Sequence, residues 1–510
     1  MKKILRNVSL GLVLIMLCQL FASIPSHAEE ICGDLNGDGS VNSIDFAYLR
    51  MYLLGINTPT VSDWEKSADL YKDGNVDAMD FAIFRKYMLG MIKSLPYIPD
   101  QPTTTPTPQP TNVFVSTLPT IPAQTPTAVS TPSPTTGISP TPTYIYRYNV
   151  GTWANSIQPI GEEYMPPIDL ANNTLRQVFR VSIGGNKASL NFSNQYGDSP
   201  LTMKSVHLAL SSGKGSIKSE TDKVLTFNGK ESVTIEAGKT IYSDTIDFDV
   251  PQLSNIAVTI YFGSVPSSLS GHICSLSTSY IAEGNKVSSL NMASAATVDH
   301  WYFISEMNLL KDETQGSYSP IVVLGNDNVD GIGLEPNQNT RWTDFFAERL
   351  LSNPDTSFRS VLNHGIGGRS LWSDIEPDQY ERFQRVRSKR YLILHFGDNE
   401  ILSHTHLSYN EIVFHLSNTI KQYRNMSSVT RIYATTIPPM YGGAYDWWRY
   451  SANDWIRETS LLDGVIDFDA AVRDPNKPEA LLDIYSDDGF HLNEKGHKKL
   501  ADSIDLAIFK

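Results

Sequence analysis

Apolar and polar residues alternate with a period of two over much of the middle of the chain. Clear examples are the runs 177–183, 204–210 and 255–262, and turn residues such as Gly197-Asp198 lie between runs of this kind. Short alternating runs separated by turn residues are typical of half-buried antiparallel strands. We therefore predict an antiparallel β-sandwich over residues 146–317. Such a domain could bind glycan or serve as a structural partner, and the structural role is favoured because a fold alone does not create a site.

From residue 318 to residue 510 the pattern changes to short, continuously apolar runs that alternate with amphipathic segments. The predicted strands are 321–324, 360–363, 391–395, 430–434 and 465–468, and predicted helices include 342–351 and 410–423. Alternation of this kind indicates a parallel sheet covered by helices on both faces. We predict an α/β domain with a flavodoxin-like parallel sheet, so that ligands would bind at the carboxyl ends of the strands.

The region near the amino terminus contains an internal repeat. Residues 33–46 match residues 68–81 at an offset of 35, and each copy continues into an apolar helix that ends at Leu-Gly. Each copy places oxygen-bearing side chains at the ligand positions of a twelve-residue calcium loop, with Gly39 or Gly74 at position 6. The predicted Ca²⁺ ligands are Asp34, Asn36, Asp38, Ser40, Asn42 and Asp45 in the first loop, and Asp69, Asp73, Asn75, Asp77 and Asp80 in the second. The alternative is a pair of Asx turns without metal.

The repeat resembles a type I dockerin, a paired EF-hand-like α module, over residues 31–94. This resemblance implies two calcium ions and a partner, the cohesin domain of a scaffoldin in a cellulosome. Tyr71 departs from the pattern, because loop position 3 normally offers an oxygen side chain. The second site is therefore expected either to bind calcium more weakly or to use water at this position. Loop positions 10 and 11, which help to select the cohesin, differ between the copies and leave the partner type open.

The two ends of the dockerin-like segment carry further signals. Residues 1–28 combine a basic start, a short apolar core and a small-residue cleavage site, which predicts a signal peptide and a secreted, extracellular protein rather than a membrane anchor. Its removal would change the formal charge from −14 to −17, which disfavours nucleic acid as a partner. No later stretch is long and apolar enough to predict a transmembrane helix, so a membrane is not expected as a partner either. Residues 95–145 are rich in Pro and Thr and predict an extended linker. Cys32 and Cys274 do not predict a disulfide framework.

The α/β region contains several turns with candidate chemistry. Asp488 and His491 have the spacing that lets a carboxylate orient an imidazole, although this pair alone is weak evidence. Together with Gly368, Asn399 and the turn at 325–327, the pair resembles the blocks of the SGNH (GDSL-type) hydrolases. The resemblance implies that His491 is the base, that Asp488 orients it, and that Gly368 and Asn399 are oxyanion donors. Residues 467–474 also resemble esterases of this family that remove acetyl groups from plant cell-wall polysaccharide.

The turn at 325–327 departs from the family at the position of the nucleophile. Asp327 occupies the place of the expected serine, and Asn326 and Glu400 also differ from the pattern. An aspartate that attacked an ester would form an anhydride, and its charge would oppose the charge that develops on the oxyanion. Efficient serine-type esterolysis is therefore not expected, and an SGNH pseudoenzyme is favoured.

Three hypotheses follow. The α/β domain is a glycan-binding or structural pseudoenzyme; or it is an active carbohydrate esterase, of the acetylxylan type, in which His491 or Asp327 activates water; or Asp327 is itself a nucleophile. Trp372, Trp447 and Trp448 are candidates for stacking against sugar, although aromatic side chains more often belong to the core. Asp398 and Glu400 could bind a metal beside Asp327, but acids on loops are commonly just solvated.

Overall fold

The computed structural model describes the chain in segments: residues 32–37, 39–53, 64–72, 74–76, 78–88, 92–96, 147–292, 294–312, 314, 316–370, 391–399, 409–426, 430–440 and 446–510. The predicted signal peptide and most of the predicted linker lie outside these segments. The chain divides into two compact units, Met1–Pro134 and Thr135–Lys510. Within the described segments, every helix is too short or too polar to cross a lipid bilayer.

The first unit is helical. Its described helices are α1 (Ser43–Leu53), α2 (Trp64–Ala68) and α3 (Ala78–Met88). Phe46 and Phe81, which occupy equivalent positions in the two copies of the repeat, stack with ring centroids 4.5 Å apart. Leu35, Leu49 and Phe84 are fully buried around this contact. The internal repeat of the sequence is therefore also a packing repeat, in which each copy supplies half of one small core.

The first part of the second unit consists of antiparallel sheets. Its described strands are β1 (Arg147–Ala154), β2 (Gln158–Pro159), β3 (Thr174–Arg180), β4 (Gly185–Asn194), β5 (Leu201–Gly213), β6 (Ser216–Ile217), β7 (Lys223–Leu225), β8 (Val233–Ile235), β9 (Lys239–Tyr242), β10 (Ile246–Val250), β11 (Asn255–Phe262), β12 (Ser270–His272), β13 (Ser279–Ala282), β14 (Ala296–Val298), β15 (Trp301–Tyr302) and β16 (Ile304–Asp312). One sheet has the order β1-β16-β4-β10, a second has β14-β13-β3-β11-β5-β6, and a small third has β15-β12-β2.

A single hydrophobic core connects the two larger antiparallel sheets. Leu190 and Phe192 on β4 contribute to the same cluster as Phe179 on β3 and Ile256 and Val258 on β11. Alternate residues of β11 enter this core, but Ala257 and Thr259 between them are also buried, so this strand is covered on both faces rather than half-buried as predicted. The run predicted to extend to residue 183 ends as a strand at Arg180. The face-to-face packing of a true sandwich stays a prediction.

The second part of the second unit is built on a parallel sheet. Its strands are β17 (Ser319–Gly325), β18 (Arg359–Gly365), β19 (Tyr391–His395), β20 (Arg431–Thr435) and β21 (Gly464–Ile466), followed by an antiparallel pair, β22 (Arg473–Asp474) and β23 (Lys477–Leu481). The described helices are α4 (Asp327–Asp330), α5 (Trp342–Ser352), α6 (Tyr409–Met426), α7 (Asp446–Glu458), α8 (Phe468–Val472) and α9 (Glu494–Ser503). The sheet order is β18-β17-β19-β20-β21, which is the flavodoxin-like order with a switch point between β17 and β19.

Both faces of the parallel sheet are buried. Ile321 and Val323 point into one hydrophobic cluster, and Val322 and Leu324 point into the other. Such two-sided burial explains why the strands read as continuous apolar runs in the sequence. The last predicted strand, 465–468, is wrong at its end, because Phe468 begins α8.

The segment 467–474 has a structural explanation. The Asp467 side chain accepts a hydrogen bond from the Ala470 N–H and caps α8. Asp469 is fully buried and forms ion pairs with Arg449, Arg457 and Arg473. These two acids are therefore bonded within the fold, and the resemblance of their segment to polysaccharide-directed esterases stays a prediction.

Candidate active site

Asp327 lies where β17 gives way to a tight turn at the switch point of the sheet. Gly325 ends the strand at a place without room for a side chain, since an added Cβ would lie 2.3 Å from Val329 Cγ2 and 2.6 Å from the carbonyl oxygen of His395. Asn326 follows, and Asp327 starts the single turn of α4, which ends at Gly331 in the left-handed region with φ of 92°. The sequence thus places the Asp327 carboxylate at the carboxyl edge of the sheet.

The two predicted oxyanion donors contact the Asp327 carboxylate. The Gly368 N–H donates to Asp327 Oδ1 at 2.9 Å, and Gly368 has a φ of +74° that favours glycine at this turn. The Asn399 side chain also donates to Asp327, as does the backbone N–H of Asp327 itself. Asn399 Nδ2 is oriented by a second bond to the Arg369 carbonyl at 3.0 Å. Three donors that surround one position therefore already hold an anion supplied by the chain.

The charge of Asp327 is under opposing influences. Burial, the largest cause, raises the pKa of its carboxyl, and the nearby charge of Asp398 raises it further. The hydrogen bonds from Gly368, Asn399 and its own N–H lower the pKa, but the net direction is upward. The protein thus gives this carboxylate good hydrogen bonds and removes it from water at the same time.

Asp398 corrects one sequence expectation, because it is buried rather than solvated. It accepts hydrogen bonds from the amides of Asn326 and Asn328, the latter at 3.2 Å. His395 Nε2 lies 3.7 Å from Asp398 Oδ2. Although burial opposes ionisation, the interactions with His395 and Asn326 hold the pKa of Asp398 below its ordinary value. Its partners are therefore neighbouring side chains, and its proposed metal partner, Glu400, lies outside the described residues.

The predicted Asp488–His491 pair forms. His491 Nδ1 lies 2.7 Å from Asp488 Oδ2, while the other oxygen of Asp488 accepts the N–H groups of Phe490 and His491. Although burial opposes this, the bonds lower the pKa of Asp488 to about 2. The His491 Cβ would lie 3.1 Å from a Cβ added to Gly333, six residues after Asp327. The pair thus sits beside the loop that continues from α4.

A histidine that sequence reasoning missed lies in the core behind the site. His497 is fully buried, and its Nδ1 accepts the N–H of Trp342 at 3.1 Å. Burial is the main cause that lowers the pKa of His497 to about 3. This histidine is therefore neutral and structural. In the sequence, only its spacing of three and four residues from Leu500 and Ala501 on the buried side of α9 could have indicated so.

Further residues around the site were also missed. Asp330, at the end of α4, is buried against His272 of the antiparallel part, with Asp330 Oδ1 2.8 Å from His272 Nε2. No local motif marks this pair, since the two residues are 58 positions apart.

Of the three tryptophan candidates, Trp372 lies outside the described residues, Trp448 is half-buried, and Trp447 is 58% exposed.

The calcium loops are described in part, since Asp38, Asp73 and Asp77 lie outside the described residues. Asp45 accepts backbone N–H groups of Leu35 and Asn36, and Asp80 accepts those of Leu70 and Tyr71 in the same way. Gly39 and Gly74, at loop position 6, have φ of +84° and +88°. No group of three or more possible metal-binding His, Cys, Asp or Glu side chains is found among the described residues. The all-oxygen set and the sharp turn at position 6 fit Ca²⁺. Asp34, Asn36, Ser40, Asn42, Asp69 and Asn75 are the remaining described candidates for holding it.

Fold and site together define an α/β domain of the hydrolase kind, with a glycine loop, an asparagine and an Asp–His pair at the carboxyl edge of a parallel sheet. Two family models match the chain. Residues 32–89 match the Dockerin type I domain, and residues 323–499 match the GDSL-like Lipase/Acylhydrolase family. The chain therefore contains a type I dockerin domain and a GDSL-like lipase/acylhydrolase domain. No curated protein sequence matches it.

Solved structures similar to the chain fall into the same two groups. A mutant Cel5 dockerin in complex with the sixth cohesin of scaffoldin B from Acetivibrio cellulolyticus is 49% identical, covering 12% of this chain and 96% of that one, with a TM-score of 0.12. A family two carbohydrate esterase from Clostridium thermocellum, in complex with cellohexaose, is 12% identical, covering 64% of this chain and 91% of that one, with a TM-score of 0.30. A carbohydrate acetylesterase from Sinorhizobium meliloti is 14% identical, covering 38% and 99%, with a TM-score of 0.28.

Proposed function

We propose that this chain is a secreted cellulosome component whose GDSL-like domain binds plant cell-wall polysaccharide and has lost ordinary serine esterase activity. Residues 1–28 would be the signal peptide and residues 95–145 the linker. The dockerin would bind two Ca²⁺ ions and attach the protein to a cohesin of a scaffoldin. The antiparallel domain at 146–317 and the α/β domain at 318–510 would form the part that meets the polysaccharide.

One observation carries this proposal. The Asp327 carboxylate accepts the hydrogen bonds that the carbonyl oxygen of an ester substrate would need. An acyl substrate gains its transition-state stabilisation when its carbonyl oxygen accepts these hydrogen bonds. With Gly368 and Asn399 already bonded to Asp327, the substrate oxygen would first have to displace the carboxylate. It would then lie beside a negative charge. Both effects act against hydrolysis before the missing hydroxyl group is considered.

The arrangement is more compatible with polysaccharide binding. Trp447 lies in the first turn of α7, which follows the carboxyl end of β20, so it is on the same edge of the sheet as Asp327. Its ring is exposed and is supported by Trp448, with centroids 3.4 Å apart. An exposed, supported indole ring offers an apolar face on which the C–H face of a sugar can stack.

The test compares the wild type with Asp327→Ser on acetylated xylan and on p-nitrophenyl acetate. We expect no enzymatic acetate release by the wild type, measurable binding of acetylated or plain xylan by calorimetry, and new hydrolysis in the serine variant. Trp447→Ala should weaken binding, while Phe414→Ala, which removes another exposed aromatic group on α6, serves as its matched control. Acetate release by the wild type that His491→Ala abolishes would contradict the proposal.

The cohesin part of the proposal is tested separately. The full chain should bind a type I cohesin in Ca²⁺ and lose that binding when the metal is chelated, because loop ligands organise the dockerin helices. Asp45→Ala should reduce binding, and Asp355→Ala, an exposed acid in the α/β domain, should leave it unchanged. Binding that persists in excess chelator would contradict a calcium-dependent dockerin.

A second function is favoured by one specific observation, the intact Asp488–His491 pair with its 2.7 Å bond. This pair could activate a water molecule, so that the domain would be a carbohydrate esterase with an atypical base. Acetate release from acetylated xylan by the wild type, sensitive to both His491→Ala and Asp488→Asn, would select this function. A covalent adduct on Asp327, seen by mass spectrometry of the intact protein, would instead identify Asp327 as the nucleophile.

A further inference from the structure

A buried series of hydrogen bonds connects the antiparallel domain to the loop that carries Gly368. The Ser156 carbonyl oxygen lies 2.9 Å from His272 Nδ1, and His272 Nε2 lies 2.8 Å from Asp330 Oδ1. The other carboxylate oxygen, Asp330 Oδ2, accepts the N–H of Gly367 at 2.7 Å. The side chains of His272 and Asp330 are each only 3% exposed. The residue next to Gly367 is Gly368, which donates to Asp327.

Both ring nitrogens of His272 are used by these contacts. The Ser156 carbonyl oxygen only accepts hydrogen bonds, so Nδ1 is the donor on that side. Nε2 and Asp330 Oδ1 lie within hydrogen-bond distance at 2.8 Å. Because both nitrogens of His272 and both carboxylate oxygens of Asp330 have partners in this buried place, the connection between the two domains is rigid.

The packing around Asp330 leaves the loop little freedom. A Cβ added to Gly365 would lie 2.4 Å from the backbone nitrogen of Asp330, so the two segments are in direct contact. Arg341 holds Asp330 from the other side, because its Nε donates to the Asp330 carbonyl at 2.6 Å while its Nη2 donates to the Cys274 and Ser275 carbonyls. A displacement of Asp330 would consequently displace residues 365–368.

We propose that His272 is a positioning residue, through which the antiparallel domain fixes Asp330 and the Gly367-Gly368 donors of the candidate site. The antiparallel domain is then a structural part of the site and not an independent module. This inference rests on the proposed placing of Gly368 among the donors. It needs no hydrolysis by the wild type.

The experiment uses the full-length protein, with selective ¹⁵N-glycine and ¹³C-aspartate labels and NMR detection. Two substitutions each keep a donor at the place of only one of the two ring nitrogens of His272. His272→Gln keeps a donor at the place of Nε2, toward Asp330, and His272→Asn keeps a donor at the place of Nδ1, toward Ser156. The matched control is His207→Ala, which removes a histidine–aspartate pair within the antiparallel domain, where His207 Nδ1 lies 3.0 Å from Asp222.

We expect His272→Ala and His272→Asn to speed hydrogen exchange at the Gly367 amide roughly tenfold or more, because its acceptor is no longer held. We also expect them to raise the pKa of Asp327 beyond the wild-type value, since a weakened Gly368 donor stabilises the carboxylate less. His272→Gln should restore both readouts toward wild type, and His207→Ala should change neither.

A residue with only a structural role would lower stability without moving the Asp327 titration. The proposal would be overturned if the Gln and Asn variants had the same Gly367 exchange rate and the same Asp327 pKa. It would also be overturned if a folded His272→Ala protein had an unchanged Gly367 exchange rate. Failure of all three variants to fold would also overturn it, because His272 would then be a general core residue. Ester hydrolysis by the wild type would contradict the proposed function and leave these outcomes untouched.

Discussion

The candidate site has two corners that differ in what they hold. At the His491 corner, Asp488 and His491 are bonded to each other, and their side chains are 51% and 30% exposed. At the Asp327 corner, the donors of Gly368 and Asn399 point at a carboxylate that is part of the chain. Under the proposed function, the His491 corner keeps the groups that would move a proton, whereas at the Asp327 corner a carboxylate occupies the place of an acyl oxygen. Proton transfer and oxyanion stabilisation are thus separated in the proposed function.

The largest expected effect tests whether the His491 corner is still competent. In the Asp327→Ser background, we expect His491→Ala to lower kcat/KM for p-nitrophenyl acetate by at least about 10³-fold, because the new serine would depend on its base. His207→Ala in the same background is the matched control and should change little. Equal rates with and without His491 would mean that the corners no longer cooperate.

The next effect concerns the donors of the Asp327 corner. In the serine variant, Asn399→Ala should lower kcat by roughly 10²–10³-fold, which is the usual effect of removing one oxyanion donor. In the wild type, the same change should raise the pKa of Asp327 further, because the Asn399 hydrogen bond lowers it. Asn476→Ala, at an exposed turn, is the control for both measurements. A serine variant that tolerates Asn399→Ala would show that this side chain does not act on the oxyanion.

The two corners also differ in how far the sequence predicts them. Asp488 and His491 are three residues apart, so local spacing was enough to predict their contact, and the apolar runs predicted all five parallel strands. Gly368 and Asn399 depend on the sheet order, yet each directly follows a strand or its turn, and resemblance supplied the rest. The bonds of Asp330 to His272 could not be predicted, because they join two domains and no periodicity marks either residue. The burial of Asp398 was missed because its amide partners, Asn326 and Asn328, lie 72 and 70 positions away on another turn of the same domain.

A third effect comes from the buried histidine behind the site, in contrast to the exposed His491. Unfolded His497 binds a proton near its ordinary pKa of 6.5, whereas the folded protein holds its pKa at about 3. The unfolded state therefore binds more protons between these values, and the free energy of unfolding falls as pH decreases, by about 1.4 kcal/mol per pH unit. His497→Asn can keep an acceptor near the Trp342 N–H without titrating, so its urea-unfolding free energy should fall less between pH 6.5 and 4. Parallel curves for the two proteins would contradict this account.

The smallest effect concerns the charge of Asp327 itself. Because its folded pKa is raised, the folded state holds this proton more tightly than the unfolded state does. The free energy of unfolding contributed by Asp327 is therefore present in acid and is lost as pH rises from the unfolded pKa through the folded one. Asp327→Asn removes the titration and can keep an acceptor for the Gly368 N–H. The variant should gain stability over wild type toward neutral pH, with the difference narrowing in acid.

Urea unfolding between pH 3 and pH 7 measures this difference, with Asp483→Asn as an exposed control. We expect the change in unfolding free energy with pH to be smaller than for His497. Asp327 is less completely buried, and it receives three hydrogen bonds that offset its burial. A variant that instead loses stability toward neutral pH would mean that the donors stabilise the anion by more than burial costs. The Asp327 corner would then be a strong anion site. Freeing it for an ester oxygen would consequently require removal of the carboxylate, and protonation in mild acid would not suffice.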